Sequence, residues 1–175
     1  NLLERAVLLR DGDTILPEHL LGIARGAAEP APDEGVLTLD EARHLPACLA
    51  SLAWANETLV LDSGSRDTTV EIARSAGATV HTLPFVNFSL QRQHGLQLAH
   101  TPWVLFVDAD ERVTEALADE VSHATADATI AGYWIPRRNV FWGHTMRGGG
   151  WWPDHQLRLL RVGRCRYDPR RAVHE

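Results

Sequence analysis

The chain contains no lysine. All 17 of its positive side chains are arginine, which points to a GC-rich genome more than to a function. Cysteine is scarce too: Cys48 and Cys165 lie too far apart for a paired metal or redox spacing, so both read as reduced, partly buried thiols. Long apolar runs are absent, and no stretch approaches the roughly 18 residues that a bilayer span needs. The opening "NLLERAVLLRDGD" is interrupted by acids and followed by no small-residue cleavage site, unlike a signal peptide. The expected compartment is therefore the cytoplasm. Nine histidines show no metal-ligand spacing among themselves.

What is present suits one ordinary domain with an appendage. The 175 residues are 45% hydrophobic, with a mean hydropathy of −0.19. Charge is unevenly spread: residues 1–120 carry 19 acids against 8 arginines, and residues 121–175 carry 4 acids against 9 arginines. An acidic body argues against a general nucleic-acid binder, while the basic last third leaves room for a local anion site.

Hydrophobic spacing predicts an amphipathic helix over the first twenty or so residues, then a short element at "LPEHLLGI" that opens with proline. The Ala-, Pro-, Gly- and acid-rich "ARGAAEPAPDEG" reads as a linker, so the boundary falls near Gly35, between an appendage (1–35) and a core (36–175). Beyond it, strands at "VLTL" (36–39), "ETLVLD" (57–62), "TVHTL" and "WVLFVD" alternate with helices at "EARHLPACLASLAWA", "TTVEIARSAGA" and "FSLQRQHGLQLAH". Thr68 and Glu71 have capping-box spacing and Gly77 is a plausible stop for the second helix. This order predicts an α/β fold with a mostly parallel sheet and helices on both faces, and a ligand site at the carboxyl ends of the strands.

Acids collect at those ends: Asp40 and Glu41 after the first strand, Asp62 after the second, and Asp108 and Asp110 after the fourth. On an extended segment residues two apart share a side, so Asp108 and Asp110 would converge. Paired carboxylates repel unless a cation or a proton sits between them, and a hard ion such as Mg²⁺ or Mn²⁺ would fill its other positions with water or substrate phosphates. A turn or a helix cap is the plainer alternative for an isolated pair.

The pair is not isolated. "TLDEARHLPACLASL", "LVLDSGSRDTTVEIAR", "LQRQHGLQLAHTPWVLFVDADERV" and "GGWWPDHQLRLLR" together resemble the family 2 glycosyltransferases of GT-A, Rossmann-like fold, particularly the branch that builds lipopolysaccharide cores, over about residues 36–175. The resemblance implies an inverting, metal-dependent transfer of a sugar from a nucleotide diphosphate donor to a cell-envelope saccharide or lipid-linked acceptor, with a possible site of work at the cytoplasmic membrane face. It implies a donor site from Thr38, Asp40 and Glu41, from the loop Asp62, Ser63, Gly64, Ser65 and Asp67, and from Gln91, Asp108 and Gln156. Asp108 and Asp110 match the metal-binding D-x-D, with His174 of "VHE" as a further ligand. Asp40 replaces the family's asparagine, which adds negative charge near a diphosphate.

The same resemblance makes Asp154 the general base and lets Arg158 stabilise the departing diphosphate. Even spacing places Gln156 and Arg158 on Asp154's side of a strand. Trp151 and Trp152, after "RGGG", read equally as a sugar platform or as core. The family's first strand is longer than "VLTL" and its chain continues past the counterpart of Glu175 with helices that shape the acceptor site. An idle nucleotide-sugar binder is thus the alternative to an enzyme. Residues 1–35 are similar to the end of the AAA+ lid in enhancer-binding transcription activators, which would make the chain a regulatory fragment, although it has no phosphate loop and no nucleic-acid partner is expected.

Overall fold

The computed structural model describes the backbone of residues 6–7, 14–15 and 38–168, with side chains from residue 42 onward. Its elements are β1 (Ala6–Val7), β2 (Thr14–Ile15), α1 (Thr38–Ala50), β3 (Leu59–Asp62), α2 (Thr69–Ser75), β4 (Thr79–Thr82), α3 (Phe88–Leu98) and β5 (Trp103–Leu105). Then follow α4 (Glu115–Ala124), β6 (Gly132–Arg137), β7 (Val140–Phe141), β8 (His144–Thr145), β9 (Asp154–Arg161) and β10 (Arg166–Tyr167).

The α/β alternation read from the sequence is present from α1 to β5. Parallel pairing joins β3 to β4, from Leu59↔Thr79 to Asp62↔Thr82, and β2 to β10. The larger sheet, in the order β1-β6-β9-β5, is antiparallel throughout. Helices cover both of its faces. Leu96 of α3 joins Trp134, Leu157 and Leu160 on one side, while Val121 of α4 joins Tyr133, Ile135 and Leu159 on the other. A third cluster, Leu45, Leu49, Ala73 and Ala78, seats α1 and α2 beside β3 and β4.

Three local expectations are corrected. Residues 38 and 39 open α1 where a strand was expected over 36–39: Asp40 and Glu41 fall in the first helical turn, where negative charge complements the exposed amides. Two short strands, β1 and β2, occur within the first twenty residues, where apolar spacing suggested a helix. The strand at "WVLFVD" stops at Leu105, so Asp108 and Asp110 sit on a turn and not on an extended segment.

Close backbone approach explains two glycines. A Cβ at Gly95 would lie 3.0 Å from Phe106 Cε1 and 3.4 Å from Leu61 Cδ1, so glycine lets α3 settle between the two halves of the fold. At Gly132 a Cβ would lie 2.9 Å from Leu160 Cδ2 and 3.2 Å from the Leu159 carbonyl oxygen, inside the β6–β9 ladder. Gly132→Ala is expected to cost about 1–3 kcal/mol through overpacking, seen as a lower urea midpoint with an unchanged slope. A midpoint equal to that of the parent would show that the ladder yields without strain.

Among the described residues β3 pairs with β4 and β5 with β9, leaving a cleft of about 1590 Å³ bordered by Leu59–Asp62 on one side and Trp103–Asp110 on the other. The acids at the strand ends open into it.

Candidate active site

The loop after β3 is built by Asp62. Its buried carboxylate accepts hydrogen bonds from the backbone amides of Gly64 (3.0 Å) and Ser65 (3.1 Å), and Gly64 supplies the left-handed φ of +101° that the turn requires. Burial pushes the Asp62 carboxyl up, but the Ser65 and Gly64 donors outweigh it and hold it below the usual range. Gln91 of α3 reaches the same loop, donating to the Leu61 carbonyl (3.2 Å) and the Ser63 hydroxyl (3.3 Å). Asp62, Ser63, Gly64, Ser65 and Gln91 all line the cleft. Asp67 turns away to α2, accepting from the Thr69 amide (3.0 Å), whereas the capping box expected of Thr68 does not form.

Across the cleft the turn after β5 closes reciprocally. The Glu111 amide donates to the Asp108 carbonyl (2.9 Å), and the Asp108 amide donates to Glu111 Oε2 (3.0 Å). Arg158 grips Asp108 with both ends of its guanidinium, Nη1 to Oδ1 at 3.0 Å and Nη2 to Oδ2 at 2.7 Å, and also reaches Glu111 Oε1 at 3.3 Å. That grip depends on a β-bulge. Tyr133 pairs with Leu159 and Trp134 with Leu157, so Arg158 is an extra residue on β9, and its carbonyl accepts from the Phe106 amide instead. Arg92 adds a second cation, 4.0 Å from Asp108 Oδ1 and stacked over the Phe106 ring. Burial would raise the Asp108 carboxyl. Hydrogen bonds and charge from Arg158, with Arg92 and Arg137 behind, leave it lowered.

Asp154 is buried at the start of β9, opposite Arg137 at the end of β6. Its Oδ2 accepts from Arg137 Nε (2.9 Å), Arg137 Nη2 (2.8 Å) and Asn139 Nδ2 (3.0 Å). Its Oδ1 accepts from Gln156 Nε2 alone (2.7 Å) among the described residues, which leaves that oxygen a lone pair for a ligand. Gln156 shares Asp154's side of the strand, as their even spacing indicated, whereas Arg158 sits at the bulge, where even spacing no longer sets the side. Burial pushes the Asp154 carboxyl up, and the hydrogen bonds of Asn139, Arg137 and Gln156 more than reverse this.

Arg137 also contacts Glu111 Oε1 at 3.5 Å, so a chain of alternating charge, Asp154–Arg137–Glu111–Arg158–Asp108, joins the buried acid to the cleft. Sequence reasoning did not pick out Arg137, Asn139, Glu111 or Arg92. The roles of Arg137 and Asn139 depend on strand register, with the polar cluster "RRN" before an aromatic run as their local signal, while Glu111 acts from the turn after β5 and Arg92 from α3. Trp151 and Trp152 are exposed, which decides between the platform and core readings in favour of the surface. Cys48 and Cys165 are buried and not joined in a disulfide; their thiols donate to the carbonyls of Asp108 (3.5 Å) and Ala131 (3.1 Å), and burial pushes the Cys48 thiol up to about 11. The side chains of Thr38, Asp40 and Glu41, and all of His174, lie outside the described residues.

The acids at the turn suit a hard divalent ion. Asp110 is exposed, lines the cleft, and has no hydrogen bond or ion pair among the described residues; the half-exposed Asp108 keeps spare lone pairs beyond Arg158. Among the described residues no group of three or more His, Cys, Asp or Glu side chains could cage an ion unaided. Two carboxylates that rely on substrate phosphates to complete the shell are the usual arrangement for Mg²⁺.

The model of the family "Glycosyl transferase family 2" matches residues 35–169, which takes in every element of this site. The chain belongs to glycosyl transferase family 2. A lipopolysaccharide core biosynthesis glycosyltransferase, LpsC of Rhizobium meliloti (strain 1021), is 32% identical over 151 residues, covering 80% of this chain and 54% of that protein. An uncharacterised glycosyltransferase of Rickettsia bellii (strain RML369-C) is 34% identical over 92 residues, covering 52% of this chain and 31% of that protein. A TPR repeat-containing protein of Synechococcus elongatus is 42% identical over 90 residues, covering 50% of this chain and 22% of that protein. The family 2 chain thus spans about half the length of LpsC and less of the others. Its relatives lend no support to the AAA+ resemblance read in residues 1–35. No helix among the described residues is long and apolar enough to cross a membrane.

Proposed function

We propose that this family 2 glycosyltransferase performs an inverting, metal-dependent transfer of a sugar from a nucleotide diphosphate donor to a saccharide or lipid-linked acceptor of the cell envelope, as in lipopolysaccharide core assembly. The observation that carries the reading is the charge chain that links the acids of the cleft to the buried Asp154. The nucleotide lies against the Asp62–Ser65 loop, where small side chains let it approach the backbone. Arg158 and Arg92 face the diphosphate, and their charge favours its departure. A bound Mg²⁺ or Mn²⁺, held by Asp110 and Asp108, would supply further neutralisation of the phosphate oxygens.

In the transfer itself the acceptor hydroxyl oxygen bonds to the anomeric carbon as the bond from that carbon to the diphosphate oxygen breaks. The hydroxyl proton passes to Asp154 Oδ1, and the electron pair leaves with the nucleoside diphosphate. Arg137, Asn139 and Gln156 orient the carboxylate, and no covalent sugar–enzyme intermediate is needed.

Calorimetry tests the donor half. Titration of nucleotide diphosphate sugars with Mn²⁺ should give binding that weakens about ten-fold or more on adding EDTA or on Asp110→Asn, the order of a lost charge-assisted contact. Asp110 is exposed, so the melting temperature should hold. Equal donor affinity in all three conditions would remove the metal from the reading. Donor binding with no nucleotide release in the presence of acceptor would favour a binding domain over an enzyme.

A further inference from the structure

The segment 138–153 contains no acid in a chain of net charge −6. Among the described residues it holds five of the nine exposed large apolar side chains: Val140, Phe141, Trp142, Trp151 and Trp152. Within it β7 and β8 form a hairpin whose two-residue loop is Trp142–Gly143, with φ of +48° and +77°. Such loops favour Asn-Gly, because a bulky side chain in the left-handed region is strained. Here the strained position is given to a tryptophan that is 88% exposed and stacked on Phe141 at 4.8 Å. Packing among the described residues does not account for that choice.

Charge says what would cover the patch. Arg138, His144 and Arg147 are exposed on the same segment, while residues 1–120 carry a large acidic excess. An anionic surface would repel the body and attract this hairpin. Exposed aromatic rings flanked by arginine suit the boundary between lipid headgroups and acyl chains. We propose that the β7–β8 hairpin is an interfacial anchor that seats the protein on an anionic bilayer, with Phe141 and Trp142 at the headgroup boundary and Arg138 and Arg147 on lipid phosphates.

The anchor would stand beside the candidate base. Asn139 Nδ2 donates both to the Trp151 carbonyl (3.2 Å) and to Asp154 Oδ2 (3.0 Å), tying the aromatic segment to the buried carboxylate. Presentation of a lipid-linked acceptor to Asp154 rests on the transferase reading above; bilayer binding does not.

Co-sedimentation of the full chain, without donor or acceptor, with vesicles of phosphatidylcholine alone and of phosphatidylcholine mixed with phosphatidylglycerol separates the two. The parent should partition to the mixed vesicles and little to the neutral ones. Trp142→Asn should lower that partition by about ten-fold, the effect of one lost interfacial aromatic. It should leave the melting temperature equal or higher, since asparagine suits the turn. Arg138→Gln with Arg147→Gln should reduce binding by about five-fold per charge and erase the preference for phosphatidylglycerol. Parent protein that stays in the supernatant with both vesicles, or Trp142→Asn that sediments as well as the parent, would overturn the anchor. A tryptophan emission shift on adding soluble core saccharide, with no vesicle binding, would assign the hairpin to acceptor sugar instead. Parent protein that binds mixed vesicles yet releases no nucleotide when donor and acceptor are supplied would count against the transferase reading and leave the anchor standing.

Discussion

Asp154→Asn is expected to lower turnover by about 10²- to 10⁴-fold while donor affinity and its metal dependence stay near the parent values. Asparagine keeps the shape but cannot take a proton. The proposed base is 9% exposed and its Oδ1 has a single protein donor among the described residues, so its loss falls on the acceptor hydroxyl and not on the Asp62–Ser65 loop. The same geometry sets a pH expectation. Asp154's carboxyl is held below the ordinary range by its donors, so the basic form persists at neutral pH and is lost only as pH falls through that lowered value. The acid limb of the pH–rate profile due to Asp154 should therefore lie below the ordinary aspartate range. Arg137→Met removes two donor contacts and one positive charge, and should move that limb upward. An asparagine variant that transfers sugar at the parent rate would make Asp154 structural, and an acid limb unmoved in Arg137→Met would remove Arg137 as the positioning residue.

These effects divide along the line between what local sequence carries and what it does not. The order β3-α2-β4-α3-β5 was legible because apolar spacing, Gly77 and the "DSGS" turn are local signals. The shared side of Asp154 and Gln156 was legible from even spacing on one strand. Strand register is not local. Arg137 faces Asp154 only because β6 and β9 pair from Gly132↔Leu160 to Arg137↔Asp154, and nothing within "IPRRNV" specifies that partner. The misread start of α1 has the same origin. "VLTL" fits a strand by composition, yet the acids that follow suit a first helical turn, and four residues are too few for periodicity to decide. For Asp108 and Asp110 the expected convergence rested on an extended segment. A turn closed by Glu111 instead presents both to the cleft, so they share a location although the geometric premise of their convergence does not hold.

The place of Arg158 at the hub of the ion-pair chain also lies beyond local reading, because it depends on the bulge. With a regular ladder Leu157 and Leu159 would share one face. They belong instead to clusters on opposite faces of the sheet, and Arg158 occupies the extra position between them. Its guanidinium is almost wholly buried yet satisfies two carboxylates that belong to a different element.

Arg158→Ala should consequently damage both fold and function. Removing one partner from a buried ion pair costs about 3–5 kcal/mol, chiefly through the charge left unpaired. Here the figure belongs at or below the lower end, about 2–3 kcal/mol, because Asp108 is 47% exposed and water can take over its solvation. Glu111 is less exposed and retains Arg137, so the turn after β5 should loosen without losing all of its anchors. Arg158→Lys keeps the charge but not the two-pronged grip on Asp108, since an ammonium cannot match both oxygens in one plane. The lysine variant should recover most of the stability in urea unfolding while its turnover stays well below that of the parent, if Arg158 acts on the diphosphate as proposed. Equal turnover in Arg158→Lys and the parent would reduce Arg158 to a structural cation. Unchanged stability in Arg158→Ala would mean that the bulge holds the turn by backbone alone, through the Phe106 amide on the Arg158 carbonyl.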